Sequence, residues 1–261
     1  MLKKSLLAFS ILSFVGTAAA HDITNPFYLA MKGQVGSITT ASYGRTVIKN
    51  AYDYTKTHMT VATEELQIGL TDKLALIGSI GNTWDHWKGN WADDAGTMKT
   101  HHDDENIQWS AGMGWNVLTG PAKWQLSAQY GQDRLHNFSG EYKYAKVGTK
   151  MGYQFKTWLP YVSGSVEMPV AQKSWGDKFK YNAKAGVYQG KCEVWALDTG
   201  VRLVYDENIE ARAFVAEAEA SYYLTPKTTI GIFGNYAFGG KAEYKTDIYD
   251  KNVGARLRFY F

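Results

Sequence analysis

The stretch DHWKGNWADDAGTMKTHHDDE, Asp85 to Glu105, gathers His86, His101 and His102 with Asp103 and Asp104. Imidazole and carboxylate are ligand types that hold divalent metals. The spacing matches no defined site, and a charged stretch of this kind ordinarily serves solvation. No metal site is therefore expected. A base beside a nucleophile would be a second kind of chemistry. His136 and Ser139 in LHNFSGE offer one such pairing, and the Asp85–His86 neighbours another. Such catalysis also needs a third group to hold the base, and a His near a Ser is common by chance. Neither an enzyme nor a cofactor is expected.

A third group is defined by its rhythm. Lys146 and Lys150, Glu167, Lys180 and Lys184, Asp198 and Arg202, Glu217 and Glu219, and Arg256 and Arg258 recur at even spacings within short segments. Side chains alternate between the faces of a β-strand, so even spacing puts such charges on one face. The residues between them are mostly apolar. These charges need strands to position them and a wet space to face.

The composition is consistent with strands. The chain has 261 residues, of which 45% are hydrophobic, with 18 Tyr, 9 Trp, 11 Phe, 26 Gly and only 5 Pro. Aromatic and Gly-rich chains with little Pro suit β-structure. The formal net charge is +3. That balance argues against nucleic acid, which selects a clustered basic face. At the start of the chain, Lys3 and Lys4 precede an apolar run and then GTAAA. This pattern predicts a secretory signal peptide over 1–20, cut before His21, and a single domain over 21–261. Cys192 stands alone, so no internal disulfide is expected.

Tight turns are expected at 71–73, 119–122, 156–160, 189–191 and 224–227, alternating with longer polar connections, the longest at 37–58 and 88–105. About twelve strands fit between them, near 27–36, 59–70, 74–87, 106–118, 122–135, 142–155, 159–170, 178–188, 193–204, 211–223, 227–238 and 250–261. Ten or fourteen strands also fit the pattern. Most segments reach the roughly 9–11 residues that a tilted strand needs to cross a membrane.

A secreted sandwich would also alternate, so the placement of aromatics decides. On the apolar phase, Trp115, Trp124, Tyr153, Phe155, Trp195, Tyr222, Phe259 and Phe261 lie near the tight turns. Trp84, Trp109, Tyr130, Phe179, Tyr181, Tyr205, Tyr236 and Phe238 lie near the long connections. Small and aliphatic residues such as Ala128, Val147, Ala185 and Ile232 come between. Two aromatic bands around an aliphatic waist match the two interfaces of a bilayer. The charged phase must then face a lumen, because Lys or Arg on the lipid face costs about 2–4 kcal/mol at the midplane. The expected fold is all-β: a closed, antiparallel, up-and-down transmembrane barrel.

The final residues, VGARLRFYF, alternate Val253, Ala255, Leu257, Phe259 and Phe261 with glycine, arginine and tyrosine. This strand resembles the C-terminal strand of bacterial outer-membrane β-barrel proteins. The resemblance implies residence in the outer membrane of a Gram-negative bacterium after export on a cleaved signal peptide. It implies contact with outer-membrane lipid and recognition of those five residues by the barrel-assembly machinery, and the acidic stretch at 85–105 offers a contact for cation-bridged lipopolysaccharide. It reaches no particular family, and neither candidate base–nucleophile pairing matches the motifs of outer-membrane proteases, phospholipases or deacylases.

Two uses of the lumen compete. Lys146, Lys150, Lys180 and Lys184 form a cationic wall with only Glu167 between them, which predicts a narrow passive channel for small polar or anionic solutes. Alternatively, Asp198, Arg202, Glu217, Glu219, Arg256 and Arg258 pair across strands and shut the bore. The barrel would then be structural, or adhesive through loops such as KNAYDYTKTH and KGNWADD.

Overall fold

The computed structural model describes residues 22–49, 53–93, 96–135, 141–170, 178–192, 194–208, 210–242 and 246–261. The predicted signal peptide and the His136–Ser139 pairing lie outside them. The strands are β1 (Val35–Lys49), β2 (Asp53–Gly69), β3 (Leu74–Asp93), β4 (Gly96–Thr119), β5 (Ala122–Leu135), β6 (Glu141–Tyr153), β7 (Trp158–Pro169), β8 (Lys180–Cys192), β9 (Trp195–Asp206), β10 (Ala211–Thr225), β11 (Thr228–Ala242) and β12 (Thr246–Tyr260). Each pairs antiparallel with its neighbours in sequence, and β1 pairs with β12 to close the barrel. Closure leaves no free edge, the condition for strands to cross hydrocarbon.

Burial is inverted relative to a soluble domain. Ile232 is 67% exposed, Ile80 58%, and Val162 and Val253 56%, all on the outward phase. In water such a belt would drive aggregation; against acyl chains it costs nothing. Aromatic contacts line both rims of the belt. Trp195–Tyr222 (4.8 Å between ring centroids) and Tyr153–Phe155 (4.6 Å) lie near the short turns. Trp109–Tyr130 (5.8 Å) and Tyr181–Tyr205 (6.1 Å) lie near the long connections.

Three expectations are corrected. Residues 27–34 are not part of the first strand. They fold inside the barrel, where Phe27, Leu29 and Ala30 are buried. Their alternation, apolar at Phe27 and Leu29, imitates a strand, but the inward aromatic floor described below satisfies it instead. Second, the polar stretches at 37–58 and 88–105 are mostly strand. The β1–β2 and β3–β4 hairpins run past the aromatic rim with unbroken register. Once two antiparallel strands are in register, extending the ladder orders little additional chain, so polarity alone does not end it. Third, residues 189–191, expected as a turn, belong to β8, which continues through Cys192.

Candidate functional site

The lumen is built from the inward phase of the twelve strands of the closed barrel. Glu219 on β10 accepts from two arginines of β12: Arg256 Nη1 at 2.5 Å and Arg258 Nη2 at 2.5 Å. Ser221 Oγ also donates to Glu219, at 3.0 Å. These pairs reach over β11, and Gly231 makes the reach possible. It faces Arg256 in register, and a Cβ there would lie 2.8 Å from Glu219 Oε1. The same device recurs one layer away. Lys184 on β8 reaches Glu217 on β10 at 3.1 Å, across β9 at Gly200, where a Cβ would lie 2.8 Å from Lys184 Cε. Arg202 joins Glu217 at 2.7 Å, and Asp198 lies 3.6 Å from Lys184. Asp198 also accepts from the Tyr161 hydroxyl, at 2.9 Å.

The lysines do not form one bare wall. Lys180 sits between Glu167 and Asp206, 3.8 Å from each, and over the Tyr142 ring. Lys184 is paired as described. Lys146 stands opposite Glu167 in register. Lys150 donates to the Pro26 carbonyl and lies over the Phe27 ring, 5.5 Å from its centroid. Between these groups remains a chamber of about 350 Å³. Among the described residues its charged lining is Lys146, Lys150, Lys184 and Arg202, completed by Gln, Ser, Asn, Thr and Gly, with Glu217 and Asp198 paired to Lys184 from beside it.

Residues 22–34 close the short-turn end of this lumen. Phe27 packs against Leu159, Tyr161, Tyr188 and Ala196. Ile23 and Ala30 pack with Tyr260, and Tyr28 meets Tyr260 edge-on at 4.6 Å. The polar edge of the segment is satisfied by the wall. Asp22 accepts from Tyr188 at 2.5 Å and from Tyr223. Gln125 Nε2 donates to the Phe27 carbonyl at 3.2 Å, and Ala30 N donates to Gln67 at 3.1 Å. Burial pushes the Tyr28 hydroxyl up to about 12, so it remains a neutral donor to Gln34 (2.8 Å). A cavity of about 450 Å³, lined by the segment and by wall residues including Lys150, Glu219 and Arg256, lies above it. Sequence reasoning missed this plug. Its signal was Tyr161, Tyr188, Tyr223 and Tyr260, aromatics on the charged phase near the tight turns, which demand an apolar partner inside the bore.

The hairpin candidates separate by face. His86, His101 and Asp103 project outward, while His102 and Asp104 project inward, His102 against Trp87. Asp85 and His86 are adjacent on β3 and so point to opposite faces; they form no dyad. Cys192 ends β8, and Val253, Ala255, Leu257 and Phe259 lie on the outward phase of β12, with Phe261 just beyond the strand.

Barrel and lumen together define the class: the fold is that of the bacterial outer-membrane β-barrels. An outer-membrane channel from Pseudomonas putida F1 superposes with a TM-score of 0.63 at 12% identity, over 91% of this chain and 98% of that one. The toluene transporter TbuX of Ralstonia pickettii gives 0.53 at 11% identity, over 94% and 96%. The translocator domain of the autotransporter NalP from Neisseria meningitidis gives 0.53 at 13%, over 86% and 88%. At such identities the likeness concerns the fold alone. No protein-family model and no curated protein matches the sequence.

Proposed function

We propose that the chain is a narrow passive channel of the Gram-negative outer membrane for small polar or anionic solutes, gated at its periplasmic end by residues 22–34. The observation that carries this reading is the cationic lining of the chamber, where Lys146 and Lys150 add to Lys184 and Arg202, the two cations that share Glu217. Fixed cations in a bore of low dielectric concentrate anions and repel cations. The plug, packed against the inner wall through Phe27, Ile23 and Ala30, then sets the resting conductance. Planar-bilayer recording tests both parts. The full mature barrel is expected to give small, anion-preferring conductance, and removal of residues 22–33 to raise it severalfold. A clear cation preference, or silence even without the plug, overturns the reading.

Silence in both forms would leave the second reading, a structural barrel. It is favoured by the Glu219–Arg256–Arg258 cluster, which fills part of the bore with paired charge.

A further inference from the structure

The outer face of the β3–β4 hairpin carries a constellation that the linear spacing concealed. His86 stands opposite Asp103 in the ladder, and His101 opposite Lys88. His86, His101 and Asp103 share one face, and one ligand atom from each lies within 4.8 Å of the others. His86 Nδ1 meets Asp103 Oδ1 at 2.5 Å, and the two imidazoles stand edge to face with centroids 4.3 Å apart. The contact with His86 holds the Asp103 carboxyl below the usual carboxylate range. The group lies beyond the Trp84 and Trp109 rim, in water, and the His86 and Asp103 side chains are 42% and 74% exposed.

We propose that His86, His101 and Asp103 form a divalent transition-metal site, with zinc the best match. Two nitrogens and one oxygen are the donors that zinc takes in three-ligand sites, which leave a fourth position for water. Calcium and magnesium require oxygen-rich shells that this face does not supply. As a plain ion pair the group would contribute little, since exposed pairs are screened. Pre-positioning is what the hairpin adds: three ligands are held by two strands in fixed register, so binding orders little additional chain. Lys88, opposite His101 in the ladder, opposes a second positive charge and weakens binding.

The test is calorimetry with zinc chloride on the refolded full chain in detergent. One zinc per barrel is expected to bind at micromolar concentration. His86→Ala and His101→Ala should each weaken it by about tenfold or more. His102→Ala, on the opposite face, should leave it unchanged. Heat-modifiable migration in electrophoresis verifies that each variant is a folded barrel. Absence of binding to the folded wild type overturns the site, as does binding that survives intact in the folded His86→Ala/His101→Ala double variant.

Discussion

At the residue scale the lumen turns on Glu219. Its two oxygens satisfy two guanidinium groups that the fold has taken out of bulk water, and Arg258 is buried. Removing one member of such a cluster leaves uncompensated buried charge, which costs more than the cluster itself contributes. Glu219→Gln is therefore expected to destabilise the barrel by about 3 kcal/mol. The midpoint of urea unfolding of the refolded protein reads this directly. A midpoint equal to the wild type would mean that water in the bore solvates both arginines. The identity of these partners was legible in the sequence, because alternation placed every one of them on a single phase. The bridging geometry was not. It depends on Gly231 and Gly200, whose value lies in what their neighbours do across the sheet.

At the scale of elements, the plug is the part with a life of its own. Residues 22–34 form no strand of the barrel and are held to the wall mainly by side chains, with backbone–backbone bonds to it, among the described residues, where Gly33 and Gln34 meet Gly69. Phe27 is its anchor, 5% exposed in a pocket of Leu159 and three aromatic or small residues. Truncating a buried phenylalanine costs about 3 kcal/mol where the site cannot collapse. Phe27→Ala should therefore loosen the plug without unfolding the barrel. Hydrogen exchange within 22–34 should accelerate, while β5–β10 keep their protection. Equal acceleration throughout would show that plug and wall form one cooperative unit. The long hairpins teach a related lesson. The polarity of 37–58 and 88–105 reads as loop because sequence patterns report solvent exposure, whereas strand propagation depends on the partner strand already in register.

For the whole molecule, the proposed channel activity rests on the balance of fixed charge along the bore. The lower bore is closed by the plug, the β8–β12 wall is neutralised by pairing, and the Lys146 side of the chamber is left net positive. Selectivity is then a property of a few side chains, and Lys146→Glu should cut the anion-over-cation permeability ratio severalfold at low salt. Reversal potentials in a salt gradient measure it. An unchanged ratio would move the selectivity filter out of the chamber.

The period-two rhythm and the aromatic bands determined on their own that this chain closes into a barrel with an apolar outside and a charged inside. Those features are local: they follow from which face of a strand each residue occupies, and any closed register satisfies them. Only the tertiary structure decided what fills the bore, which charges meet, and that His86 joins His101 and Asp103. These depend on the register between strands and on a competition for the lumen that residues 22–34 won by offering Phe27 to a ring of inward aromatics.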